Sequence, residues 1–162
     1  MLYKKSLKVL HEIGSVGVLG ALASCIVLAI TAPRHSLAEY AAVRHGMAAI
    51  TQWLLVPSLA IVLITGLLSI AATEAYINAG WPWLKAITGI SMFEGSLLTV
   101  SGSTRQAAEL SAMAAAGQGD PALLDQVLRT EWGGLWIITV VSIANIVIAV
   151  WRPRLGRRAA RD

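Results

Sequence analysis

Three stretches of this chain contain no charged residue at all: 13–33, 46–73 and 132–151. A fourth, 82–103, is interrupted only by Lys85 and Glu94. About 20 mostly apolar residues suffice for a helix to cross the hydrocarbon core of a bilayer, where every backbone polar group must be satisfied within the chain. The pattern predicts an all-α, polytopic membrane four-helix bundle, one domain over 1–162, with spans near 8–32, 46–72, 82–104 and 132–151. Hydrophobic residues make up 56% of the chain and charged residues 14%, which excludes an ordinary soluble domain.

The net charge of +4 does not point to nucleic acid, because the cations are not spread as a binding surface. They gather at the ends: Lys4, Lys5 and Lys8 before the first span, and Arg152, Arg154, Arg157, Arg158 and Arg161 after the last. An even number of spans puts both termini on one side, and the positive-inside rule makes that side cytoplasmic. The expected location is therefore a bacterial inner membrane, with the lipid bilayer as the first partner. Leu22-Ala23-Ser24-Cys25 matches a lipoprotein cleavage box, but the apolar run continues through Ile30, longer than the roughly 7–15 residues of a signal core. Cleavage there is not expected. One cysteine, Cys25, allows no internal disulfide.

Along the chain, Pro57 falls in the middle of the second span, where it removes a backbone donor and can kink the helix. Ala79-Gly80-Trp81-Pro82 breaks the chain, with Pro82 placed as a first helical residue, and the third helix can continue past Arg105 through the alanine-rich 107–116 before Gly117-Gln118-Gly119. Asp120-Pro121 reads as an N-cap and first turn. It predicts a short amphipathic helix over 122–129, lying in the long outer loop. Trp81, Trp83, Trp132, Trp136 and Trp151 sit at span ends, as interfacial anchors do.

Polar residues at membrane depth carry the functional information, because each is costly there. His11 shares a helix face with Gly14, Val18, Ala21 and Cys25, a mostly small face that fits either helix packing or a flat ligand beside the imidazole. Lys85 heads a second small and polar face of Gly89, Met92, Ser96, Thr99 and Ser103; it can equally reach the headgroups on its own stem. Both lie about 12–13 Å to the cytoplasmic side of the midplane at 1.5 Å per residue. They can meet if the first and third helices are neighbours, which leaves the second and fourth as scaffold. Glu94 is nearly central in its span, with Asn145 at similar depth as an expected hydrogen-bond partner; packing and proton handling are both open to it. His45 and Gln52 form a smaller polar face near the outer surface. His45 lies about 20 Å or more from His11 along the membrane normal, so one haem cannot take both.

Leu7-Lys8-Val9-Leu10-His11 resembles the opening of small bacterial membrane proteins of the HemJ-type protoporphyrinogen oxidase and copper-resistance D-like group. Trp83-Leu84-Lys85 is similar to the start of the third span in the HemJ type. Trp53, Pro57-Ser58, Thr65-Gly66-Leu67 and Trp81-Pro82-Trp83-Leu84 together resemble the DUF 2269 family more closely. The resemblance implies haem b as cofactor, with His11 as axial ligand to the iron and Lys85 as a second cofactor-binding group. Lys85 and Glu94 are the catalytic candidates, and a porphyrin or quinone is the implied small-molecule partner. Where the HemJ type carries further histidine and tyrosine in its third helix, this chain has Ser91-Met92-Phe93-Glu94. Three functions follow: a haem-b redox protein, a non-enzymatic accessory or assembly subunit docking a partner membrane subunit or another copy of itself, and a proton- or ion-translocating component using Glu94.

Overall fold

A computed structural model describes residues 2–151. The cationic segment from Arg152 onward lies outside the described residues. The described chain is helical, without strands, and consists of four long helices and one isolated turn. Helix α1 spans Leu2–Thr31 and α2 spans Leu37–Ala71. A single turn, Glu74–Ile77, leads to α3 over 80–115, and α4 spans Pro121–Trp151.

The helix ends follow local chemistry. The Ser36 hydroxyl accepts from the Glu39 N–H at 3.3 Å and caps α2, satisfying one of the orphan donors at a helix start. Asp120 does the same for α4, taking the Ala122 N–H at 2.8 Å. At the end of α3 the Gln118 N–H reaches back to the Met113 carbonyl at 2.8 Å, and Gly117 adopts φ +74°. This is the left-handed closure that glycine permits at no steric cost.

Two helices carry one widened turn each. In α2 the Val56 N–H bonds to the Thr51 carbonyl, five residues back, immediately before Pro57. The proline has no N–H to offer and its ring crowds the carbonyl four residues earlier, so the turn opens instead of breaking. In α3 the Gly102 N–H likewise bonds to Leu97. Thr51 and Thr104, buried beside these turns, share a hydrogen bond of 2.9 Å between α2 and α3.

Packing runs around the molecule: α1 lies on the second half of α2, α2 on α3, α3 on α4, and α4 closes more lightly on α1. Glycine sets the α1–α2 distance. A Cβ added at Gly14 would sit 2.9 Å from Val62 Cγ2 and 3.1 Å from the Ser58 carbonyl, and one at Gly17 would meet the Ser58 side chain. The small face of α1 is the buried one: Gly14, Val18, Ala21 and Cys25 all lie inside.

Three helices, α1, α2 and α4, are long and apolar enough to cross a membrane. Only 33%, 28% and 22% of their most apolar stretches are buried within the molecule. Val16, Val27, Ile64, Ile137 and Val140 face outward, an apolar exterior that a water-soluble protein does not present on this scale. This is a membrane protein. Among the described residues α3 does not reach the apolar length of the other three, since Lys85, Glu94 and the small polar residues between them make it the most polar of the long helices. The separate amphipathic helix expected over 122–129 is corrected: it is the first part of α4. The Arg129–Asp125 ion pair (2.9 Å) and the Thr130 hydroxyl on the Gln126 carbonyl (3.1 Å) continue the helical spacing, and Gly133-Gly134 does not interrupt it. Gly134 is needed there for contact, because a Cβ would meet Thr99 Oγ1 at 2.9 Å.

The two most buried charges form one ion pair, Arg44 of α2 with Glu131 of α4. Arg44 also donates to Met47 Sδ at 3.4 Å. Removing one member strands the other charge, which costs about 3–5 kcal/mol, whereas apolar replacement of both is often close to neutral. We therefore expect Glu131→Ala to lose about 3–5 kcal/mol in detergent unfolding, and Arg44→Met with Glu131→Leu together to lose much less. Equal losses would show that the pair is not coupled.

Candidate functional site

The candidate site is a cavity of about 520 Å³, within the roughly 300–1,000 Å³ range of small-molecule pockets. It lies at the N-terminal ends of α1 and α3. The start of α1 contributes Lys4, Lys8, His11 and Ser15; the second half of α2 contributes Val62, Gly66 and Ser69. Lys85, Gly89 and Met92 come from α3, and Ser142 and Asn145 from α4.

His11 is the best-defined polar group in this wall. Its Nδ1 lies 3.0 Å from the Val62 carbonyl oxygen and 3.1 Å from Thr65 Oγ1. A carbonyl can only accept, so Nδ1 must carry the proton. The Thr65 hydroxyl is itself committed as donor to the Ile61 carbonyl at 2.6 Å, which leaves its lone pair for the imidazole. With Nδ1 as N–H, a neutral ring keeps its free lone pair on Nε2, for which the described residues supply no partner. Holding one ring nitrogen on a backbone carbonyl is also how metal-bound histidines are oriented. The α1 backbone at this point is held in turn by Ser15, whose hydroxyl donates to the His11 carbonyl at 2.8 Å. Gly66 keeps a face of the ring open: a Cβ there would stand 3.5 Å from His11 Cε1.

Lys4, Lys8 and Lys85 border the cavity, and the Glu12 carboxylate, outside its lining, acts electrostatically on both His11 and Lys85. The remaining wall is largely apolar. Such a cavity suits a ligand with an apolar body and acidic groups at one end. At the far end Asn145 is fixed by two bonds, accepting from the Thr88 hydroxyl at 2.8 Å and donating to Met92 Sδ at 3.3 Å.

The structure brings His11 and Lys85 to one cavity, although α1 and α3 are not packed neighbours. They face each other across the space, and α2 and α4 supply walls where scaffold alone was expected. Glu94 is not part of it. Its side chain is exposed on the outside of α3, and the expected Glu94–Asn145 hydrogen bond does not form because the two point to different sides of the helix pair. His45 and Gln52 are also exposed and do not border the His11 cavity. Sequence reasoning did not single out Thr65 as the partner of His11, although a threonine at membrane depth is itself a signal. It also missed the buried Arg44–Glu131 pair; Ser96, expected on the Lys85 face, is buried with no hydrogen-bond partner among the described residues.

No protein-family model, curated protein or solved structure matches the chain. Among the described residues no three His, Cys, Asp or Glu side chains converge on a common point.

The hydrogen bonding makes a direct prediction for a chain with three histidines. In protein labelled with ¹⁵N-histidine, the His11 signal of the neutral ring should be that of the Nδ1–H tautomer. An Nε2–H signal for His11 would contradict the Val62 contact.

Proposed function

We propose that this chain is a four-helix bundle of a bacterial inner membrane, with both termini cytoplasmic, that binds haem b in the His11 cavity and serves membrane redox chemistry. The orientation rests on Lys4, Lys5 and Lys8 at the start of α1, and on the cationic residues that follow α4 in the sequence. α3 completes the bundle as the polar fourth span. The single observation that carries the cofactor reading is the His11 imidazole, held at Nδ1 by a backbone carbonyl and unpartnered at Nε2 beside a cavity bordered by three lysines.

The residues fit the group. Nε2 of His11 would hold the iron, Gly66 leaves room beside the ring, and Lys4, Lys8 and Lys85 would answer the two carboxylates of haem. The apolar wall from α1, α2 and α3 would take the macrocycle and exclude water. When bound, haem b would supply one-electron redox chemistry, with a quinone or porphyrin as the exchange partner in the bilayer. The protein's own part is to orient the ligand through Val62 and Thr65 and to hold the acidic edge of the cofactor toward the cytoplasmic face. This reading agrees with the resemblance to HemJ-type proteins over Leu7–His11 and Trp83–Lys85. The translocation reading draws no support from Glu94, which does not border the His11 cavity.

Protein purified in detergent from haem-replete cells should show a Soret band, and His11→Ala should abolish it while leaving the helical content intact. Lys85→Ala should weaken haem retention at least several-fold without removing the iron ligand. A colourless native preparation would refute the proposal.

A further inference from the structure

The His11 cavity has a floor. Thr73 and Tyr76 of the α2–α3 connection, with Trp81 and Pro82 at the start of α3, line that end of it. The connection is tied down. The Trp83 indole N–H donates to the Ile77 carbonyl at 3.0 Å, and Tyr76 stands edge-on to Trp81 with ring centroids 5.4 Å apart.

Three of the four helix seams are bridged at the level of the cavity. His11 bonds to Val62 between α1 and α2. Leu63 of α2 lies against Gly89 of α3, where an added Cβ would stand 3.7 Å away. Asn145 of α4 bonds to Thr88 and Met92 of α3.

The α1–α4 seam differs. Leu22, Ser15 and Lys8 follow one another at seven-residue steps down one face of α1, and they are buried, half-buried and exposed in that order. Leu135, Ser142 and Ile146 lie on one face of α4, where the first two are buried and Ile146 is 44% exposed. Leu22 and Leu135 belong to one core, whereas Lys8, Ser15, Ser142 and Ile146 all line the cavity. The two helices thus share a core in one half of the molecule and are parted by the cavity in the other. Among the described residues no hydrogen bond or ion pair joins them. A gap between two membrane spans faces acyl chains, where there is no water. Glu12, exposed on this side of α1, acts electrostatically on Lys85.

We propose that the seam between residues 8–19 of α1 and 142–146 of α4 is a lateral entrance, through which the cavity takes an acidic amphiphile from the adjacent lipid leaflet and not from water. The acidic head meets Lys8 at the lip and then replaces Glu12 as the partner of Lys85, while the apolar body stays in contact with the bilayer throughout. That the ligand is haem rests on the function proposed above; the entrance does not.

Two measurements on the full chain in phosphatidylcholine–phosphatidylglycerol vesicles test this. Ser142→Cys, in the cavity wall, should react at least tenfold faster with lipid-soluble N-cyclohexylmaleimide than with a sulfonated maleimide, each rate taken relative to a small free thiol. The native chain, whose Cys25 is fully buried, is the blank. The reverse preference would put the entrance on the water side and overturn the proposal. With haem supplied from donor vesicles, Ile146→Trp should slow uptake and release together at least fivefold and leave Kd within twofold, because narrowing an entrance acts on both directions alike. Ile64→Trp, on the outward face of α2, should change neither rate. An unchanged uptake rate in Ile146→Trp, or equal slowing by Ile64→Trp, would overturn the entrance. No haem uptake by the native chain, together with the expected Ser142→Cys preference, would sink the haem reading and support the entrance.

Discussion

The close approach of α1 to α2 is the contact on which the candidate site depends. Gly14 and Gly17 let the two helices meet where any larger side chain would strike Val62 or Ser58. At that separation the His11 imidazole reaches the Val62 carbonyl and the Thr65 hydroxyl one turn farther along. Without the glycines the helices would stand apart and Nδ1 would lose both partners. The ring could then turn, and neither its tautomer nor its position would be fixed. A helix-packing stripe and a ligand-orienting device are thus the same residues, which is why the two readings of that face were not separable by spacing alone.

Below this contact the molecule opens, and above it the molecule is sealed. The half toward the start of α1 holds the cavity with its lysines. The opposite half is closed by side-chain bonds between helices: Thr51 with Thr104, and Arg44 with Glu131. In an environment without water these polar contacts are strong enough to matter and costly to leave half-made. The widened turns of α2 and α3 lie in the same region and let the two helices settle against each other around Thr51 and Thr104. The arrangement divides the labour: one end holds the helices in register, and the other end is left open.

The long charge-free stretches made the helical fold and the membrane environment legible, because their length and lack of charge admit little else. The buried face of α1 and the Lys85 face of α3 were also legible from their spacing. Pairings across the chain were not. Arg44 and Glu131 are far apart in sequence, and each sits just outside a charge-free stretch, where charges are commonplace. Glu94 stood out as a carboxyl at mid-span, but depth does not give direction. Its side chain points outward from α3, and the partner assumed for it, Asn145, is occupied by Thr88 and Met92. The start of α4 was not legible because the charge-free stretch begins only at 132, after Asp125, Arg129 and Glu131, while the helix itself runs on unbroken from Pro121.

The central claim is that His11 Nε2 is a ligand position served by the surrounding cavity. Titration of haem into the purified apoprotein, with native chain and His11→Gly compared in the presence and absence of free imidazole, tests it most directly. The account predicts saturable binding of one haem per chain to the native protein, its loss in His11→Gly, and its recovery when imidazole fills the vacated position. Binding to His11→Gly equal to that of the native chain, with no response to imidazole, would contradict it.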